Sequence, residues 1–219
     1  MSSQQTEGNV WNEMSFSINE SVIKKHHSKY TPFKVVMDFV LALIGLIVFS
    51  PIIFIFAILI KIETPGPAFY LQERVGYCGR IFKVIKLRSM RIDAEINGPK
   101  WAEKNDSRVT KIGRFIRKTR IDELPQLLNV LKGDMSLIGP RPERPIFTLK
   151  FNQEIPGFVT RLSVKPGITG WAQINGGYDI TPKRKLELDQ YYINNFSFWL
   201  DLKILWKTVL TCISGNGAR

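Results

Sequence analysis

Asp122 and Glu123 are adjacent carboxylates set in a dense field of positive charge. Arg108, Lys111, Arg114, Arg117, Lys118 and Arg120 precede them, Arg141 and Arg144 follow in a proline-rich stretch, and Lys86 and Arg88 lie upstream. Chemistry on a diphosphate needs this combination: cations to hold the anion, and a carboxylate to attack phosphorus or hold a hard metal ion. A blander reading competes with it. Acidic residues in the first turn of a helix favour its dipole by about 0.3–1 kcal/mol, and a run of charge is commonly a solvated face. Histidine chemistry is excluded from the folded part, because His26 and His27, the two histidines, both lie in the polar N-terminal segment. A Ser-His-Asp triad, a Cys-His pair or an HExxH zinc site therefore has no histidine to use. Cys78 and Cys212 lie far apart and match no metal spacing, as in a reduced, cytosolic chain.

The elements that must position these groups begin with a membrane segment. Phe39 to Ile60 is 22 residues without a charge, about 33 Å as a helix and enough to span a hydrocarbon core. Ser50-Pro51 sits in its middle, where proline removes a backbone donor and predicts a break or kink. Lys24, Lys25, Lys29 and Lys34 precede the run, and Lys61, Arg74, Arg80, Lys83 and Lys86 follow it. Basic flanks favour the cytoplasmic side. A re-entrant hairpin keeps both inside, whereas a straight span does not. The formal net charge of +12 and a pI near 9.8 suit an anionic leaflet or a phosphate-rich substrate. No nucleic-acid reading module is recognisable.

Downstream, Ala68–Arg74 and Arg80–Leu87 read as two strands around a glycine-containing loop. Met90–Glu103, Arg108–Lys118 and Ile121–Leu131 read as helices, the last with Leu124, Leu127, Leu128 and Leu131 on one face. Gly139-Pro140-Arg141-Pro142 must be a stiff extended loop. Pro145–Leu162 is helical in part, broken at Pro156-Gly157. Thr181–Asn194 is a polar helix, and Phe196–Ile213 suits either a membrane interface or an ordinary core. The expected fold is α+β and mostly helical: a re-entrant membrane helix hairpin broken at Ser50-Pro51, a small β-hairpin, and amphipathic interfacial helices around an active site on the cytoplasmic face. Residues 1–33 are expected to form a polar flexible tail and 34–219 the folded domain, with 39–60 embedded in the membrane.

The stretch from Ile121-Asp122-Glu123-Leu124-Pro125-Gln126 through Gly139-Pro140-Arg141-Pro142 resembles the core signature of the bacterial sugar transferases, the monotopic phosphoglycosyl transferases. Ser50-Pro51 matches that family's helix break. Lys86-Leu87-Arg88-Ser89-Met90 is similar to its Lys-Phe-Arg-Thr-Met element. Lys165-Pro166-Gly167-Ile168-Thr169-Gly170-Trp171-Ala172-Gln173, Leu188-Asp189-Gln190-Tyr191-Tyr192 and Asp201-Leu202-Lys203-Ile204-Leu205 also match. The resemblance runs from about Lys34 to the C-terminus, in the family's minimal catalytic form. One departure is Asn175-Gly176-Gly177-Tyr178, where many members carry Asn-Gly-Arg.

The resemblance implies transfer of a sugar-1-phosphate from a UDP-sugar to polyprenyl (undecaprenyl) phosphate, releasing UMP, at the start of exopolysaccharide, capsule or related glycan assembly. It implies Asp122 as nucleophile through a phosphosugar-aspartyl intermediate, with Glu123 beside it and Mg2+ at the dyad. Lys86, Arg88, Arg117, Arg141 and Asp189 are the substrate-binding positions carried over. The expected location is the cytoplasmic face of the bacterial inner membrane, with anionic lipids as partners and a homodimer left open. Two other readings remain: a glycosyltransferase passing the sugar alone and releasing UDP, and a non-catalytic basic protein of the membrane surface.

Overall fold

The computed structural model describes residues 23, 25, 26, 28–96, 106–176 and 180–214, with side chains to residue 211. Most of the polar tail expected over 1–33 lies outside them. Its last three residues open the first helix, α1 (Thr31–Glu63), with Pro32 in the first turn, where its missing amide costs nothing. This is one helix of 33 residues, long and apolar enough to cross a membrane by length and composition. It is not split into two: the backbone stays helical through Pro51. The local reason is Ser50, whose hydroxyl donates to the carbonyl of Ile47 at 2.9 Å. That carbonyl is the one an amide at position 51 would have served.

Phe39, Ile44, Ile47, Val48, Phe54, Ile55 and Ile62 of α1 are exposed, while Ala42, Ile53 and Ile60 are buried against the rest of the chain. Ala42 packs with Val84, Leu127, Val130 and Met135. Ile53 and Ile60 pack with Leu87 and Ile116. Both ends of α1 are held by polar contacts. At the start, Lys34 reaches the Asp201 carboxylate at 2.6 Å and Asp38 accepts from the Ser136 hydroxyl at 2.7 Å. At the finish, Glu63 accepts from the amides of Lys111 at 2.7 Å and Ile112 at 3.1 Å, two orphan donors at the start of the next helix.

The hairpin forms as expected, one residue displaced. β1 (Phe69–Val75) and β2 (Ile81–Leu87) pair antiparallel, with Tyr70 opposite Lys86. The turn between them holds Cys78 at φ 53°. The expected helix over Met90–Glu103 is corrected within its described part: Met90 forms a bridge to Val109, residues 92–96 run in turns, and 97–105 lie outside the described residues. α2 (Lys111–Lys118) is capped by the Thr110 hydroxyl, which accepts from the Gly113 amide. The single helix expected over Ile121–Leu131 is instead a 3-10 turn, Ile121–Gln126, followed by α3 (Leu127–Leu131). Arg120 enters that turn in the left-handed region, at φ 60°, and Pro125 brings no amide for the carbonyl of Ile121.

β3 (Ser136–Ile138) and β4 (Gly167–Thr169) pair in parallel, a second small sheet that the sequence did not announce. Where β3 leaves this sheet, a Cβ on Gly139 would sit 2.4 Å from the Lys165 carbonyl, so the crossing requires glycine. The proline loop 140–142 springs from there. α4 (Pro145–Glu154) and a 3-10 turn, Phe158–Ser163, bracket Gly157 at φ 84°, matching the expected break. α5 (Trp171–Gly176), α6 (Pro182–Asn194) and α7 (Phe198–Ser214) complete the chain. α7 buries Asp201 and Ile204 and exposes Trp199, Leu202, Trp206, Val209 and Leu210. It therefore carries an unburied apolar face as well as a core face.

Candidate active site

The outer edge of β2 would be open but for Asn129. Its carboxamide accepts from the Ile85 amide at 3.0 Å and donates to the Lys83 carbonyl at 2.8 Å, docking α3 onto the strand. The 3-10 turn that precedes α3 is thereby laid against the end of β2. Lys86 then meets Glu123, Nζ to Oε1, at 3.1 Å. From the other side the proline loop brings Arg141, whose guanidinium bonds both Glu123 oxygens, one of them at 3.2 Å. Arg120 stands 4.0 Å from the same carboxylate. Glu123 is thus the anion at the centre of three cations.

Asp122 has a different environment. It is 7% exposed and makes no hydrogen bond or ion pair with a described residue. Burial, then the neighbouring Glu123 charge, raises its pKa to about 6, against the pull of Lys86, Arg117 and Arg141. For Glu123 burial also acts upward, but Arg141 and Lys86 outweigh it and hold the carboxyl well below the usual range. Burial lowers the Lys86 ammonium, partly offset by Glu123. Two adjacent carboxylates are pushed apart in acidity: one is a fixed anion clamped by cations, the other an unencumbered group with elevated basicity. Such a division is found where one carboxyl of a pair does chemistry, and also in structural ion-pair networks.

Four of the sequence-predicted residues, Asp122, Glu123, Lys86 and Arg141, therefore converge. Arg117 lies near enough for its charge to act on Asp122. Arg88 points elsewhere. Its guanidinium donates to the carbonyls of Thr64 at 2.8 Å and Pro65 at 2.7 Å, closing the C-terminal end of α1. Asp189 is 1% exposed and is held by Arg161 at 2.8 Å. Ser50 and Pro51 lie in the middle of α1. Sequence reasoning missed Asn129, Glu143, Arg161 and Lys185. Glu143, beside the proline loop, pairs with Lys185 of α6 and lies 3.8 Å from Arg74. Burial would raise its carboxyl, but Lys185, Arg161 and Arg74 prevail and set it at about 2. Only the charge types of Glu143 and Arg144 flanking the loop hinted at this; a lone arginine between Thr160 and Leu162 carried no signal.

Among the described residues no group of three or more His, Cys, Asp or Glu side chains converges as a metal cage. Mg2+ does not need one, since it commonly takes one or two carboxylates and completes its shell with water and substrate phosphates. Asp122, a carboxylate with no cation bonded to it, fits that role, with Glu123 adjacent.

A profile of the bacterial sugar transferases matches residues 29–215, and the chain belongs to that family. It is 52% identical over 186 residues to a UDP-N-acetylgalactosamine-undecaprenyl-phosphate N-acetylgalactosaminephosphotransferase of Aeromonas hydrophila, covering 84% of this chain and 44% of that one. It is 61% identical over 155 residues, 70% of this chain and 87% of the relative, to a provisionally named undecaprenyl-phosphate N-acetylgalactosaminyl 1-phosphate transferase of Bacillus subtilis. To a UDP-glucose:undecaprenyl-phosphate glucose-1-phosphate transferase of Escherichia coli it is 44% identical over 177 residues, 78% of this chain and 38% of the other. The chain thus spans less than half the length of the first and third of these relatives.

Proposed function

We propose that this chain transfers a sugar-1-phosphate from a UDP-sugar to undecaprenyl phosphate, with Asp122 as the covalent nucleophile. The observation that carries the reading is the pairing of a buried, unpartnered Asp122 with a cation-clamped Glu123, in a chain of this family. An Asp122 oxygen attacks the phosphorus that bears the sugar; the bond from that phosphorus to the UMP oxygen breaks, and UMP departs. A phosphate oxygen of the lipid then attacks the same phosphorus, the bond to Asp122 breaks, and the carboxylate is restored. Splitting one displacement into two lets a soluble donor and a lipid acceptor use the site in turn. Lys86, Arg117, Arg120 and Arg141 supply the positive field for the diphosphate, and Lys86 and Arg141 keep Glu123 ionised. Mg2+, held by Asp122 and Glu123 together with the diphosphate, would neutralise charge on the transferring phosphoryl group. The two relatives of highest identity reported above favour N-acetylgalactosamine as the sugar.

The test is incubation of the purified protein with polyprenyl phosphate, Mg2+ and a panel of UDP-sugars. UMP is expected, with UDP-N-acetylgalactosamine the best donor. Release of UDP instead would identify transfer of the sugar alone. Absence of any nucleotide product would leave only the role of a basic membrane-surface protein.

The membrane geometry supports this use of the site. Lys34 and Glu63, near opposite ends of α1, are both tied to the same domain. A helix spanning about 30 Å of hydrocarbon would carry one of those ends to the far face. In the proposed arrangement α1 bends at Ser50-Pro51 while its backbone stays helical, so that both ends return to the cytoplasmic side, and the exposed face of α7 lies in the interface with its tryptophans at headgroup depth. Single cysteines at Lys29 and Lys61, in a chain with Cys78 and Cys212 replaced by serine, should react with an impermeant maleimide from the cytoplasmic side only. Labelling of the two from opposite faces would establish a span.

A further inference from the structure

α6 reaches the loop that carries Arg141 by two routes. Lys185 pairs directly with the Glu143 carboxylate. One turn further on, Asp189 accepts from Nε of Arg161 at 2.8 Å and lies 2.7 Å from one of its terminal nitrogens. That same nitrogen donates to the backbone carbonyl of Arg141 at 2.8 Å. Asp189 and Arg161 are 1% and 2% exposed, and the Arg161 guanidinium lies over the ring of Phe158, 5.1 Å from its centroid. An aspartate so enclosed and already engaged is poorly placed to meet a soluble nucleotide sugar. Arg141, by contrast, has its carbonyl tied to this buried pair while its side chain grips Glu123.

We propose that Asp189 and Arg161 are positioning residues that hold the Arg141 backbone so that its guanidinium stays on Glu123, and that neither contacts substrate. Only arginine can do this, because its fork serves a carboxylate and a carbonyl at once. Lysine at 161 keeps the charge opposite Asp189 but cannot serve both partners in the same geometry.

The inference rests on the proposed transferase activity, so UMP release by the unmodified chain is established first; failure there sinks the functional reading. Given that activity, Asp189→Asn and Arg161→Lys should each lower kcat/KM for the UDP-sugar on the order of 10- to 100-fold, as expected of small misplacements in a site. The discriminating measurement is a double-variant cycle with Arg141→Ala. A residue that acts through Arg141 adds little further loss once that side chain is gone, whereas one that touches substrate itself multiplies the loss. Multiplying losses overturn the proposal, as does full activity in Arg161→Lys. So does a loss in Asp189→Asn that only tracks its folded fraction. If Asp189→Asn does not fold, Arg161→Lys, which retains the buried charge pair, carries the cycle alone.

Discussion

Asp122→Asn is expected to lower UMP release by on the order of 10³-fold or more, while making the folded protein more stable above pH 6. The catalytic loss follows because an amide oxygen cannot take the place of the carboxylate in a covalent intermediate. The gain in stability follows from linkage. The folded-state pKa of Asp122 is raised to about 6 from an ordinary 3.8. A raised carboxyl contributes its full stability below pH 3.8 and loses it as pH rises through 6. Above that pH the buried charge costs about 3 kcal/mol, the free-energy equivalent of the shift. Asparagine removes this cost. Melting curves without Mg2+ should therefore show the variant ahead of the parent at pH 8 and level with it near pH 4. Added Mg2+ should raise the melting temperature of the parent and leave the variant nearly unmoved. Activity of the parent should fall in the acid range, since only the ionised carboxyl attacks, with a midpoint below the metal-free value of about 6 because Mg2+ at the dyad favours the ionised form. A variant that still makes UMP, or a sugar-phosphate adduct recovered on another residue, takes Asp122 out of the mechanism.

The sequence made this carboxylate visible but not its division of labour with Glu123. Both are acidic and adjacent, and charge density alone treats them alike. What separates them is which cations arrive at Glu123: Lys86 from 37 residues away on one side and Arg141 from 18 on the other. Lys86 and Arg88 illustrate the difficulty. They lie two residues apart, and charge and the resemblance assign both to the site. The strand ends at Leu87, and Arg88 turns to the carbonyls at the end of α1. Asp189 is assigned to substrate by the resemblance alone, in a helix that reads as polar. Its burial depends on Arg161, for which no local pattern exists.

Long apolar runs and glycine-flanked strands were easier to see. The uncharged run of α1 and the two arms of the hairpin carry their signals within themselves, over 22 residues and seven per strand. β3 and β4 have three residues each, too few to establish an alternation, and their pairing is set by the close crossing at Gly139. Of the apolar face expected over Ile121–Leu131, Leu127 is buried, Leu124 and Leu131 are partly buried against core clusters, and Leu128 joins none of them. The first half of that stretch winds as 3-10 because proline and a left-handed arginine constrain the backbone there, which is a matter of dihedral angles that hydrophobic period does not report.

The joint between α1 and α7 should respond to mutation in an order that a simple ion pair would not produce. Asp201 is fully buried and accepts from Lys34 at 2.6 Å, Tyr30 at 2.9 Å and Tyr192 at 2.8 Å. Lys34 also lies 3.6 Å from Asp38, so one ammonium serves two buried carboxylates. Breaking a buried pair by removing one member costs about 3–5 kcal/mol, because the survivor keeps its desolvation penalty without its partner. Asp201→Ala should fall at the low end, about 3 kcal/mol, since Lys34 retains Asp38 and Tyr192 retains the Ile138 carbonyl at 3.2 Å. Lys34→Met should cost more, because it strands Asp38 and Asp201 together at neutral pH. The double variant Lys34→Met with Asp201→Leu should lie between them: it removes one stranded carboxylate and leaves the other. Thermal or denaturant unfolding of the three variants in one detergent settles the order. A Lys34→Met chain as stable as the parent would mean that the ammonium is not what holds the N-terminal half of α1 to the domain.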